Sequence, residues 1–277
     1  MKPTTASTRI WRGEMLYGLL EVFRLNEGKF NVGADKKLVP HTEGQPFPPG
    51  TLHVAANAFV VRTPNDVVLF DTGLGEEAEG RNITFLTDQL THLGVSREEV
   101  SKVFLSHFHA DHIGGATYQV GFERRPTFPN ATYFAQQQEA TALYTGRSND
   151  LRATTIDVLE EHGQLIWLDG NGWIEDLIEY EVTGGHTPFH QIAWLHYDGL
   201  LVLFGGDVLP QPAQVTRRFL AKYDYQPEQS AEWRQKMARR AYENGAMMLF
   251  YHSTSYPAAF LPVFDEKTGY KLEPITL

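Results

Sequence analysis

The chain has 277 residues, 42% of them hydrophobic and 21% charged, a net charge of −10 and no cysteine. Such a length supports a substantial core, and the composition is that of an ordered globular protein. The acidic balance argues against a nucleic-acid surface, which needs clustered Lys and Arg, and the missing cysteines remove disulfides, thiol nucleophiles and thiolate metal ligands together.

Met1 to Met15 lacks a continuous apolar stretch after its basic residue, and no later run approaches the ~18 apolar residues of a membrane span. The expectation is a cytoplasmic protein without membrane contact. Ile10 to Phe30 mixes apolar and polar positions as one or two strands would, ending at Glu27-Gly28. Asn31 to Thr51, with Pro46-Phe47-Pro48-Pro49-Gly50, is too irregular for a regular element. Asn57 to Val61 and Val67 to Phe70 read as strands joined through Thr63-Pro64-Asn65-Asp66, the second running into Asp71-Thr72-Gly73. Leu86, Leu90 and Leu93 at helical spacing, closed by Gly94, predict a helix over Phe85 to Leu93. Val103 to Leu105 ends a buried strand, Thr127 to Phe134 is extended, and Gln136 to Tyr144 is a helix. Ser148-Asn149-Asp150 opens another helix over Leu151 to Glu161. Strands follow at Gln164 to Leu168 and Leu177 to Val182, then a hairpin of Gln191 to His196 and Leu200 to Phe204 about Asp198-Gly199. Pro227 to Ser230 opens a helix over Ala231 to Asn244, with Trp233, Met237 and Ala241 on one face and Gly245 as its stop. Met247 to Tyr251 is the last strand, and the tail from Ser253 to Leu277 is expected beside the pocket mouth.

The chemistry concentrates directly after Val103-Phe104-Leu105, where His107, His109, Asp111 and His112 fall within six residues and Gly114-Gly115 follows. Imidazoles crowded this way repel if protonated and are costly to bury neutral without partners, so a divalent cation accounts for them. Nitrogen and carboxylate donors without sulfur suit zinc, iron, manganese or cobalt. His107 and His109, two apart, point the same way on an extended segment and can grip one ion from one side. Asp111 and His112 are adjacent and reach a second position. Two ions roughly 3.5–4 Å apart form the clamp of many hydrolytic enzymes.

His-x-His-x-Asp-His followed by Gly-Gly resembles the signature of the metallo-β-lactamase superfamily. The resemblance implies an α/β fold, the four-layer αβ/βα sandwich, in one domain over residues 1–277 with a metal centre along one edge. It also implies two divalent ions, zinc first and iron, manganese or cobalt as alternatives. His107, His109 and His186 would hold the first ion, and Asp111, His112 and His252 the second, with Asp207 of Gly205-Gly206-Asp207 bridging both. Two dications ~4 Å apart repel by several kcal/mol even at an effective dielectric near 20, and a bridging carboxylate offsets part of that. Asp71 and His190 are implied to support the ligands from behind, since a metal-bound imidazole donates its other N–H to a fixed acceptor. Phe189 stands where the third motif usually has glycine, a change expected to narrow the pocket.

The implied reaction is attack by a metal-bridging hydroxide, made from a water whose pKa falls toward ~7, with Asp111 passing a proton to the leaving oxygen. Tyr223-Asp224-Tyr225-Gln226-Pro227-Glu228-Gln229 is similar to the N-acyl homoserine lactonase and methyl parathion hydrolase branch. That similarity favours hydrolysis of a small-molecule ester-type bond, a lactone first. Phosphoester, phosphotriester and thioester hydrolysis, and iron-dependent oxidation, are alternatives on the same scaffold. Lactonases of this group commonly place a tyrosine shortly after the bridging aspartate; Val208-Leu209-Pro210-Gln211 has none, and Tyr223, Tyr225 and Tyr251 are the candidates to replace it. The expected partner is a small-molecule substrate, with neither nucleic acid nor membrane. The sequence does not set the oligomeric state; a homodimer is compatible with it.

Overall fold

The computed structural model describes residues 20–77, 82–144 and 151–277; Met1 to Leu19 and the helix-opening Ser148-Asn149-Asp150 lie outside the described residues. In chain order the first part gives β1 (Glu21–Val32), β2 (Leu38–Pro40), β3 (Leu52–Arg62), β4 (Val67–Phe70), α1 (Thr84–His92), β5 (Lys102–Phe104) and α2 (Ala110–Ile113). A small hairpin of β6 (Thr117–Val120) and β7 (Glu123–Pro126) precedes β8 (Thr132–Gln136), α3 (Gln137–Tyr144), α4 (Leu151–Glu161) and β9 (Leu165–Leu168). The rest gives β10 (Gly172–Ile174), β11 (Ile178–Val182), β12 (Gln191–Tyr197), β13 (Leu200–Phe204), α5 (Ala213–Thr216), α6 (Pro227–Asn244), β14 (Met247–Leu249), β15 (Ala258–Asp265) and β16 (Gly269–Ile275).

Two seven-stranded sheets result, ordered β2-β1-β3-β4-β5-β8-β9 and β10-β11-β12-β13-β14-β15-β16. Strand β13 explains how they stack. Its side chains alternate across the pleat, Leu200, Val202 and Phe204 entering the core shared with the first sheet, Leu201 and Leu203 the core beneath α6. Phe204 stacks on Phe70 at 5.2 Å and meets Phe59 edge-on at 6.2 Å, which joins the sheets through aromatic contact. On the far side of the first sheet, α1 buries Leu86 and Leu90, and α4 buries Ile156 and Leu159. The order of layers is therefore helix, sheet, sheet, helix.

The topology also fixes where loops meet. β4 runs parallel to β5, and β13 parallel to β14. β11 is antiparallel to β12 and β12 to β13, so β11 and β13 share a direction. The C-terminal ends of parallel strands fall on one edge of a sheet, where ligands of such folds bind. The loops after β4, β5, β11, β13 and β14 carry Asp71, His107 to His112, His186, Asp207 and His252. Hydrogen bonds pin the two edges together: Ala55 N–H donates to His252 O (3.3 Å), Asn57 Nδ2 to Tyr251 O (2.8 Å), and Gln191 Nε2 to Leu105 O (2.7 Å).

Several expectations are corrected. β1 does not end at Gly28, because that glycine, at φ 104°, lies in a bulge between Asn26 and Lys29 and the strand continues to Val32. The irregular 31–51 segment contains β2, which pairs with the extension of β1. Thr127 to Ala131 turns, and only Thr132 onward is strand. The helix α6 starts at Pro227, where proline lacks only an N–H the first turn would not have bonded. The tail after Ser253 is not at the pocket mouth: it forms β15 and β16 at the far edge of the second sheet. Among the described residues no helix is long and apolar enough to cross a membrane.

Candidate metal centre

Glycine makes the close approach at the site. Gly206 has φ 48°, and a Cβ there would lie 2.6 Å from His190 Nε2 and 3.0 Å from Ser106 Cβ. Gly115 packs so tightly that a Cβ would sit 2.1 Å from Thr72 O. These contacts press the β5, β4 and β13 loops together.

Two groups of donors emerge, His107, His109, His186 and Asp207 in one, Asp111, His112 and His252 in the other. His107 Nε2 lies 2.9 Å from His109 Nδ1, which lies 3.0 Å from His186 Nε2. Asp207 stands between the groups: Oδ2 is 3.2 Å from His186 Nε2, while Oδ1 is 3.2 Å from His112 Nε2 and 3.0 Å from His252 Nε2. Asp111 Oδ2 is 3.5 Å from His252 Nε2 and 3.8 Å from His112 Nε2. The seven residues expected as ligands thus face a common region, His107, His109, His186 and Asp207 in one group and Asp111, His112 and His252 in the other.

The outer nitrogens are committed elsewhere, and this decides whether a cation fits. His112 Nδ1 donates to Asp71 Oδ2 (2.6 Å), His186 Nδ1 to Asp224 Oδ1 (3.0 Å) and His252 Nδ1 to Ala55 O (2.7 Å). His107 Nδ1 donates to Ser106 Oγ (3.0 Å), whose own proton goes to Asp71 Oδ2 (2.7 Å). A neutral imidazole with its proton on Nδ1 has a lone pair on Nε2, so His107 and His186 point lone pairs inward, and His112 and His252 do the same once neutral, as metal ligands are. One proton on His109 Nδ1 satisfies at most one of the two Nε2 atoms facing it. Among the described residues, buried His112 Nε2 and Asp207 Oδ1 have no hydrogen-bond partner although they lie 3.2 Å apart. Divalent cations fit this donor set; the side chains alone leave it unsatisfied.

Charge divides the two groups in the same way. Burial holds His107 far below the usual histidine range, and His109 is pushed down to about 3 by burial and by His186. Burial also opposes charge on His112 and His252, but there Asp207 and Asp111 outweigh it and raise both. His112 is raised by Asp71 as well. Asp207 itself is held well below the carboxylate range, because His252, His112 and His186 outweigh its burial.

Asp71 is fully buried behind His112 and Ser106, and accepts Ser106 N–H at 2.7 Å. His190 is buried too, but its Nε2 already accepts Asp207 N–H (3.0 Å) and its Nδ1 donates to Thr183 Oγ1 (2.9 Å), so it holds the Asp207 backbone and offers no free nitrogen. Phe189 does not line the cavity above the donors, so it does not narrow the pocket as expected; its N–H donates to Glu139 (3.2 Å). Three residues escaped the sequence reading. Glu139 accepts from Thr187 Oγ1 (3.0 Å) as well as Phe189, and braces the His186 loop. Asp224 orients His186, and Arg234 holds Asp224. Arg234 had a readable signal, a cation on the helix face that also carries Ala231, Met237, Ala238 and Ala241.

A cavity of about 1330 Å³ opens over His109, Asp111, His186, Asp207 and His252. Val32, Leu38, Leu52 and Val54 make an apolar wall, and Lys222, Tyr223 and Tyr225 stand at another side.

No curated protein matches the chain. Among solved structures it is similar to AidC, described as a dizinc quorum-quenching lactonase in complex with a product, with 21% identity, a TM-score of 0.72 and 95% and 97% of the two chains covered. It is similar also to a probable metal-dependent hydrolase from Staphylococcus aureus, with 19% identity, a TM-score of 0.71 and 95% and 100% covered. An N-acyl homoserine lactone hydrolase, with N-hexanoyl-L-homoserine at its catalytic metal centre, gives 17% identity, a TM-score of 0.61 and 84% and 93% covered. At these identities the likeness speaks for the fold. The family model of the metallo-beta-lactamase superfamily matches residues 53–252, from β3 through His252. With that match over most of its length and its two imidazole–carboxylate groups, the chain belongs to the metallo-β-lactamase superfamily and is a metallo-hydrolase.

Proposed function

We propose that the chain hydrolyses a small-molecule ester-type bond, with a lactone as the first substrate, using two zinc ions. The observation that carries this reading is Asp207, whose two oxygens face both donor groups at the floor of a cavity with one apolar wall. His107, His109 and His186 would hold one ion, Asp111, His112 and His252 the other, and Asp207 both. Bound there, the pair supplies an activated water as nucleophile and polarises the substrate's carbonyl oxygen.

The side chains do the rest. Tyr223 is the tyrosine best placed to meet a substrate oxygen, for it lines the cavity with its ring 6.0 Å from that of His186. Burial, then Asp207 and Asp224, push its phenol up to about 12, so it is a neutral donor at physiological pH. Gln214 Nε2 donates to the phenol oxygen at 3.4 Å, which leaves the phenol proton for the substrate. Tyr251 is fully buried, stacks on His112 at 4.0 Å and donates to Asp111 O, so it fixes the loop. Tyr225 is 62% exposed and stands at the rim. Asp111, whose carboxylate borders the cavity beside His252, would take the proton given up by the attacking water and pass it to the leaving oxygen. The apolar wall suits an acyl group, and lactonase neighbours of the same fold favour that choice among ester-type bonds.

Metal analysis of the purified protein paired with a panel of lactones, aryl esters, phosphotriesters and thioesters tests the proposal. Two zinc equivalents with lactone turnover are expected; full metallation with turnover of phosphotriesters or thioesters alone would overturn the lactone assignment.

A further inference from the structure

Arg234 is only 1% exposed, on the apolar face of α6. A guanidinium in such a place must be paired in every direction it points. Its Nε donates to Val208 O (2.6 Å), its Nη1 to Phe219 O (2.6 Å) and its Nη2 to Asp224 Oδ2 (3.1 Å). Each acceptor belongs to a segment that serves the site. Val208 follows Asp207, Phe219 begins the stretch that leads to Tyr223, and Asp224 Oδ1 accepts the hydrogen bond of His186 Nδ1–H at 3.0 Å. The backbone repeats the docking, with Tyr225 N–H donating to His186 O (3.2 Å) and Gln226 N–H to Gly185 O (2.7 Å).

We propose that Arg234 is a positioning residue which sets the metal affinity of His186 through Asp224 and stations Tyr223 over the site. The relay runs outward from the donor nitrogen. His186 Nε2 offers a lone pair only while Nδ1 carries the proton, and Asp224 Oδ1, aimed at Nδ1 from 3.0 Å, holds that proton there. Arg234 supplies the opposite charge and the aim, because its planar fork reaches all three acceptors at once. A lysine would bring the charge without the fork.

The inference rests on the two-metal reading, and the experiment separates the two. Zinc binding is measured by chelator competition on folded protein, together with melting temperature and with kcat and KM at saturating zinc. In the wild-type protein two equivalents are expected; their absence would overturn the metal reading itself. Asp224→Asn keeps the shape but loses the charge, and should weaken one equivalent ~10–100-fold while leaving the other in place. Arg234→Lys should weaken that same equivalent by a smaller factor and raise KM, with the fold retained. Should Arg234→Lys fail to fold, Asp224→Asn and Asp224→Glu carry the test, the second restoring affinity in part. In the double variant Asp224→Asn with Arg234→Lys, the Arg234 effect on zinc should vanish, as it does for residues acting in one chain. Unchanged zinc affinity in Asp224→Asn, additive effects in the double variant, or a lowered melting temperature with both equivalents intact would overturn the inference.

Discussion

Replacing Tyr223 with Phe removes one oxygen and keeps the ring that faces His186 at 6.0 Å. The folded state loses little, because among the described residues the phenol's hydrogen bond is the long 3.4 Å contact from Gln214. The loss belongs to the reaction. A donor aimed at a developing oxyanion is worth about 2.7–4 kcal/mol when it acts alone, or ~10²–10³ in rate. Here a cation would share that charge, so ~10–100-fold in kcat/KM is the expected cost. Burial, then Asp207 and Asp224, push the phenol up to about 12 before any cation is bound, so it carries its proton at neutral pH, and the variant is compared with the wild type between pH 6 and pH 9. Initial rates on a lactone across that range, with zinc content measured on the same samples, make the assay. A variant that retains both metals and the wild-type kcat/KM would refute the role given to Tyr223.

His109→Ala should lower metal content and activity together, because His109 Nδ1 faces both His107 and His186; a variant with normal metal and normal turnover would remove it from the donor set. Gly206→Ala places a Cβ 2.6 Å from His190 Nε2 at φ 48°, so we expect ~2–4 kcal/mol of lost stability and a fall in Tm of several degrees, read by thermal denaturation; an unchanged Tm would show that the loop can relax. At Glu179, the Arg240 hydrogen bond and charge hold the carboxyl below its usual range, so its contribution is present above the unfolded pKa and is lost as pH falls through the folded one. Glu179→Gln should therefore cost ~0.5–1 kcal/mol at pH 7 and progressively less as pH falls below the unfolded carboxylate value in urea melts, for a partly exposed pair; a gap that does not shrink on acidification would contradict this.

How legible each part was depends on the range of the forces that make it. Strand β4 and the helices α1 and α4 were readable because apolar periodicity and a following Gly94 or polar stop are local signals. The cluster His107 to His112 stood out by its density of donors after an apolar strand, whereas His186, Asp207 and His252 were implied by the resemblance to the superfamily's motifs; each lies within a few residues of a strand end, and parallel strands bring those ends to one edge. Strand β2, the bulge at Gly28 and the β15–β16 hairpin were not, since pairing partners distant in sequence create them. Glu139 acts only through tertiary hydrogen bonds and carries no spacing of its own, while Asp224, although inside the Tyr223 to Gln229 motif, shows its role only through its partners His186 and Arg234. Arg234 was visible as a charge on an apolar helix face, although nothing local names the carboxylate and carbonyls that satisfy it.

Anomalous diffraction from zinc-loaded crystals at the zinc absorption edge tests the central claim most directly. The account predicts two peaks per chain, roughly 3.5–4 Å apart, one among His107, His109 and His186, the other among Asp111, His112 and His252, with Asp207 between them. A single peak, no peak, or density held by other side chains would contradict it.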